Sequence, residues 1–142
     1  MKVVVIDGAG GGIGRALVEG LKKTLPGAEV IGIGLNALAT AAMLRAGADA
    51  GATGENPVRV ACLDADLIMG PIGIAFADAM LGEVTRLTAE SIALSRAVKI
   101  LIPVGRCGVK IAGTGALPLS DAIEDALGQA RALFEGAPGG CP

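Results

Sequence analysis

The chain has no histidine, no tyrosine and no tryptophan, and only two phenylalanines in 142 residues. Without His or Tyr, general acid–base chemistry falls to carboxylates, lysines or thiols. Without aromatic side chains there is no stacking platform for single-stranded nucleic acid. The formal net charge of −2, with no run of Lys or Arg, removes the electrostatic footprint that nucleic-acid binding needs. No apolar run approaches the ~20 residues that span a bilayer, so no membrane partner is expected. Met1-Lys2-Val3 is basic and then apolar, but Asp7 and the glycines interrupt it too early for a signal peptide. Cys62, Cys107 and Cys141 are odd in number and far apart, which argues against a disulfide framework, and no His is present to complete a metal site. The cytoplasm is the expected compartment.

What remains is a core of Val, Ile, Leu and Ala, with 23 glycines gathered at the ends of apolar runs rather than in a low-complexity tract. Lys2 to Ile6 reads as a buried strand. Ile13, Leu17, Leu21 and Leu25 then recur at four-residue steps on a helix that Pro26-Gly27 stops. "EVIGIG" (29–34) is a second strand, and Asn36 caps an Ala-rich helix ending at Gly47. Val58–Leu63 has strand propensity, yet Val58, Ala61, Cys62 and Ala65 fall at helical spacing after Asn56-Pro57, which favours a helix. That choice makes "ADAGA" (48–52) a third strand and sets Thr53 to Asn56 at its carboxyl end.

"DLIMG" (66–70) is the fourth strand. Ile74 to Leu81 is expected to be helical, ended by Gly82, and Thr88 is expected to cap a helix through Ser95. "VKILIPVG" (98–105) is a further strand, "VKIAG" (109–113) a short last one, and Ser120 the cap of a helix from Asp121 to about Phe134. The expected architecture is α/β: one Rossmann-like, doubly wound, mainly parallel sheet over residues 1–134, followed by a disordered tail at 135–142.

"DGAGGGIGR" joins the first strand to the first helix. Such a turn directs backbone N–H groups and the positive end of the helix dipole out of the strand's carboxyl edge, where a phosphate is well accommodated. Gly8, Gly12 and Gly14 give Gly-x-x-x-Gly-x-Gly, while Ile13 breaks the strict Gly-x-Gly-x-x-Gly pattern. Two readings stand: a clasp for phosphate, or a turn that lets helix and strand pack closely. The clasp reading makes Asp7, Gly8, Gly10, Gly11, Gly12, Ile13 and Gly14 cofactor-binding. With strand order 3-2-1-4-5, Gly70, Pro71, Ile72 and Gly73 form a second wall, Ile72 packing on an adenine or nicotinamide ring. The plain alternative for that second stretch is a Gly-Pro turn ending a strand. Asn36 is a cap first and a ribose contact second, and Thr53 and Glu55 join the site if the 58–65 helix holds.

The loop resembles the opening of short-chain dehydrogenases, where Thr-Gly-x-x-x-Gly-Ile-Gly wraps a nicotinamide dinucleotide's pyrophosphate. Asp7 stands where that family has threonine, and a carboxylate there repels phosphate unless it turns to backbone N–H groups or a ribose hydroxyl. No acid ends the second strand, and the family's Tyr-x-x-x-Lys is excluded because the chain has no Tyr. Across most of its length the chain resembles instead a small bacterial family, a domain of unknown function, carrying "IDGxGGGIG", "NALATAAML", "GATGEN" and "GPIGI". That resemblance implies a Rossmann-like fold and no established activity.

The expected ligand is a nucleotide-type cofactor, NAD or NADP first, with flavin and ATP as alternatives. Asp7, Glu55, Asp64, Asp66, Asp78 and Glu83 are the acids available for chemistry, and Cys107 sits between Arg106 and Lys110, cations that lower a thiol's pKa. No nucleophile–base–orienter set emerges. An accessory or sensor protein is the leading function. A homodimeric oxidoreductase or transferase sharing a site through Asp7 or Cys107, and a ligand-free scaffold, are the alternatives. The apolar, Ala-rich surface of so small a chain predicts a homo-oligomer.

Overall fold

The computed structural model describes residues 1–104 and 108–136. Five strands form one parallel sheet in the order β3-β2-β1-β4-β5: β1 (Lys2–Asp7), β2 (Glu29–Gly34), β3 (Ala50–Thr53), β4 (Leu67–Pro71) and β5 (Val98–Ile102). Val3 and Val5 of β1 face one side and Val4 and Ile6 the other, all fully buried. This is why the strand reads as continuous β-branched sequence rather than as an alternation. On the first side pack α1 (Gly12–Thr24), α2 (Ala37–Arg45) and α5 (Leu119–Phe134), and on the second α3 (Glu55–Ala61) and α4 (Arg86–Leu94). No helix among the described residues is long and apolar enough to cross a membrane.

The helical reading of the segment after β3 holds, although α3 starts at Glu55, with Gly54 rather than Asn56 at its cap. Asn36 caps α2 as expected, its side chain accepting from the Ala39 amide at 2.9 Å. Cys62 lies in the core, where burial pushes its thiol up to about 11.

Other expectations are corrected. Ile74–Leu81 is not a helix. A 3₁₀ turn at Ile72–Ala75 is followed by a loop in which Asp78, Met80 and Leu81 take φ of 66°, 56° and 56°. Only Ile74 of that stretch is fully buried, so no apolar stripe holds a helix against the sheet. Val109–Gly113 is not a strand. Thr114 folds back onto the Ile111 carbonyl, Gly113 has φ 86°, and β5 is the sheet edge among the described residues. α4 is capped one turn earlier than expected, by Thr85, with Thr88 buried inside it. α5 begins after Pro118, so Ser120 is its second residue and not its cap. Gly105, Arg106, Cys107 and all but the first two residues of the expected tail lie outside the described residues.

Glycine lets α2 lie directly on β2. A Cβ on Gly34 would run into Thr40 Oγ1, the Thr40 amide and the Asn36 carbonyl. Two of these are backbone atoms, which cannot rotate away. Gly34→Ala is therefore expected to cost about 1–3 kcal/mol of stability, read as a lower urea midpoint at unchanged m-value. An unchanged midpoint would show that α2 can shift without loss.

Candidate functional site

β1 ends at Asp7, whose carboxylate turns inward. Oδ1 accepts from the Gly8 amide and Oδ2 from the Gly14 amide, each at 2.7 Å. Gly14 is the third residue of α1, so Asp7 occupies the amino end of that helix, where a phosphate was expected. Gly11 donates to the Gly8 carbonyl at 3.0 Å and closes the turn. Ile13 leans on the core below α1, while Gly10 and Gly12 are exposed, with open space where a side chain would be.

The next loop amide, that of Ala9, is taken by a second acid. Glu83 Oε1 accepts from it at 2.8 Å, and Glu83 Oε2 accepts from Asn36 Nδ2 at 3.1 Å. Asn36 also donates to the Ala9 carbonyl at 2.8 Å. It thus ties the first residues of α2, the glycine loop and the loop before α4 together. Gly8 makes room for this contact, since a Cβ there would collide with Glu83 Oε1 and lie 2.8 Å from Met80 Sδ. The expectation of free amides is corrected accordingly: those of Gly8, Ala9 and Gly14 already hold carboxylates.

Beside Glu83 opens a cleft of ≈ 630 Å³ lined by Ala9, Pro71, Gly73, the Met80–Glu83 stretch and Val104. It lies where β1 and β4 adjoin and the chain order reverses, the place where ligands of open parallel sheets bind. Of the second wall expected from sequence, Pro71 and Gly73 line the cleft. Gly70 faces the Ile6 carbonyl, so its missing side chain serves strand packing, and Ile72 is half-buried outside the lining.

Thr53 and Glu55 are not brought to the cleft. Asp7, Gly34 and Thr53 stand in register, which puts Thr53 two strands, about 10 Å, from Asp7 on the side away from β4. Its hydroxyl meets Thr40 Oγ1 at 2.7 Å, and Glu55 is exposed at the start of α3. Ala9, Met80, Leu81 and Val104 carried no sequence signal. Glu83 was visible only as one acid among six.

Burial is the main cause that raises the Asp7 carboxyl above its ordinary value of 3.8, and the nearby Glu83 charge adds to it. The amides of Gly14, Gly8 and Ile13 pull the other way. The folded chain therefore holds this proton more tightly than the unfolded chain. Stability contributed by Asp7 is greatest at acid pH and falls as pH rises from the ordinary carboxylate range through the raised value. Urea unfolding across about pH 4 to 7 should show the stability difference, wild type minus Asp7→Asn, shrinking as pH increases. A flat or growing difference would contradict the raised pKa.

Among solved structures, the chain is similar to a dodecameric FMN-dependent UbiX-like decarboxylase from Escherichia coli O157:H7. The identity is 15 %, covering 100 % of this chain and 98 % of that one, with a TM-score of 0.45. No curated protein matches the chain. A family profile described as a domain of unknown function, DUF3842, matches residues 2–135, and the chain belongs to that family.

Proposed function

We propose that this protein binds a phosphate-bearing ligand with a planar ring, of mononucleotide size and flavin type, in the cleft beside the glycine loop. It acts as an accessory or sensor protein rather than by turning the ligand over. The observation that carries this reading is the Glu83 carboxylate, an anion already seated on the Ala9 amide and Asn36 Nδ2 at the edge of an apolar cleft. A phosphate oxygen is an acceptor of the same charge sign and can exchange for it, with the exposed Gly10 and Gly12 beside it on the loop. The cleft volume of ≈ 630 Å³ falls within the range of small-molecule sites, about 300–1,000 Å³. Pro71, Val104, Met80 and Leu81 offer apolar surface to a ring.

NAD and NADP fit less well. The second half of a dinucleotide needs partners at the end of β2, where Asn36 Oδ1 is engaged with the Ala39 amide and the Thr53 hydroxyl with Thr40. Among the described residues lining the cleft, Glu83 is the titratable side chain, and it is already engaged with the glycine loop.

Calorimetry with FMN, NAD, NADP and ATP should show FMN binding at least about tenfold more tightly than NAD. Absence of heat with all four would favour a scaffold without ligand. Asn36→Asp keeps an oxygen to cap α2 but replaces the donor with a like charge. It should weaken FMN about tenfold while α2 stays capped. Unchanged affinity would remove Asn36 from the site.

We also infer that the chain associates with itself through α3, α4 and the residues that follow each, which leave Leu63, Leu87 and Leu94 exposed in a groove carrying Arg59, Glu90 and Arg96. Light scattering should give a dimer or larger, shifted to monomer by Leu63→Asp with Leu94→Asp. A monomeric wild type would overturn this.

A further inference from the structure

The segment from Phe76 to Glu83 runs between two fully buried anchors, Ile74 and Val84. Its backbone closes on itself: Asp78 donates to the Val84 carbonyl at 2.7 Å, Val84 to Ala79 at 3.2 Å and Gly82 to Asp78 at 3.1 Å. Three of its non-glycine residues, Asp78, Met80 and Leu81, sit at positive φ, a conformation that costs L-residues energy and persists only where other contacts enforce it. Leu81, at the tip, is fully exposed, so apolar burial there does not hold the loop down. Its polar hold on the glycine loop is the Glu83 carboxylate, on the Ala9 amide and Asn36. Met80, whose Sδ lies over Gly8, adds a contact from the same loop. Met80, Leu81, Gly82 and Glu83 also line the cleft, so the element that carries the carboxylate is the element that walls the binding space.

We propose that Phe76–Glu83 is a lid, closed in this structure by Glu83 acting as an internal ligand of the glycine loop, and that a phosphate-bearing ligand enters by exchanging with that carboxylate. The exchange substitutes one anion for another on Ala9 and Asn36. It also frees a loop that is strained while closed. Affinity is therefore set in part by an internal competitor. Occupancy of the site is reported outward by release of an exposed Leu81 tip, a readout suited to a sensor. The proposal rests on the ligand reading above in naming phosphate, while the lid contact itself does not.

Hydrogen exchange and phosphate titration separate the two. In Glu83→Ala, the amides of residues 77–83 should exchange about tenfold faster than in wild type, the loss expected of a charge-assisted hydrogen bond, with β1 and α1 protection unchanged. Inorganic phosphate, followed at the Ala9 amide by NMR, should bind the variant at least about tenfold more tightly than wild type. Equal exchange in the two proteins, or equal phosphate affinity, would overturn the lid. Should Glu83→Ala not fold, Glu83→Gln keeps an acceptor for Ala9 without the charge and should show both effects in smaller degree; neither effect would again overturn it. If FMN binds neither protein while the variant's loop is released and phosphate shifts Ala9, the lid stands and the flavin reading falls. If FMN binds both alike with residues 77–83 equally protected, the lid falls and the flavin reading stands.

Discussion

A carboxylate at the carboxyl end of a central parallel strand has little water and must take its donors from the backbone that follows. Asp7 does this with the amides of Gly8 and Gly14, six residues apart, and so fixes the path of the whole turn between them. The helix dipole favours a negative charge at that point, while burial and the neighbouring Glu83 oppose it. The balance makes the amino end of α1 self-sufficient, as the phosphate of a nucleotide would otherwise make it. What is left for an external anion is the outer part of the loop, Ala9, Gly10 and Gly12, and there Glu83 already holds the Ala9 amide. An acid where short-chain dehydrogenases carry threonine thus takes the Gly8 and Gly14 amides, and the next amide, that of Ala9, goes to Glu83. That last contact couples the turn to a distant loop.

Much of the fold was legible because it is written in short range. Short apolar runs bounded by glycine marked β1, β2 and β4, four-residue steps marked α1, and the Asn36 cap marked α2. The strand order was that of the doubly wound sheet which the strand–helix alternation implied. The region after β4 was not legible. Ile74–Leu81 has helix-forming residues, but its conformation is set by what Glu83 must reach, a partner 74 residues away in sequence, and no local pattern encodes such a contact. The last expected strand failed for a related reason: Val109–Gly113 has the propensity, but no neighbour in the sheet pairs with it.

The candidate site divides along the same line. Pro71 and Gly73, named from the reversal point, line the cleft, while of the glycine loop the described lining holds Ala9. Thr53 and Glu55 were grouped with them because they also end a strand, but register puts them beyond β2, on the far side of Asp7. Ala9 was missed because its contribution is a backbone amide. Glu83 was missed as a site residue because its role comes from Gly8, whose lack of a side chain admits the carboxylate. A glycine preceded by a buried acid is the one sequence feature that could have prompted a search for a second acid.

The account turns on whether the Glu83 carboxylate occupies the place of a ligand's anion. The most direct measurement is a crystal structure of the protein grown with FMN. The expected result is a phosphate on the Ala9 amide and Asn36 Nδ2, the flavin ring against Pro71 and Val104, and Glu83 displaced from the loop. Flavin bound elsewhere, or bound in the cleft with Glu83 still on Ala9, would contradict it.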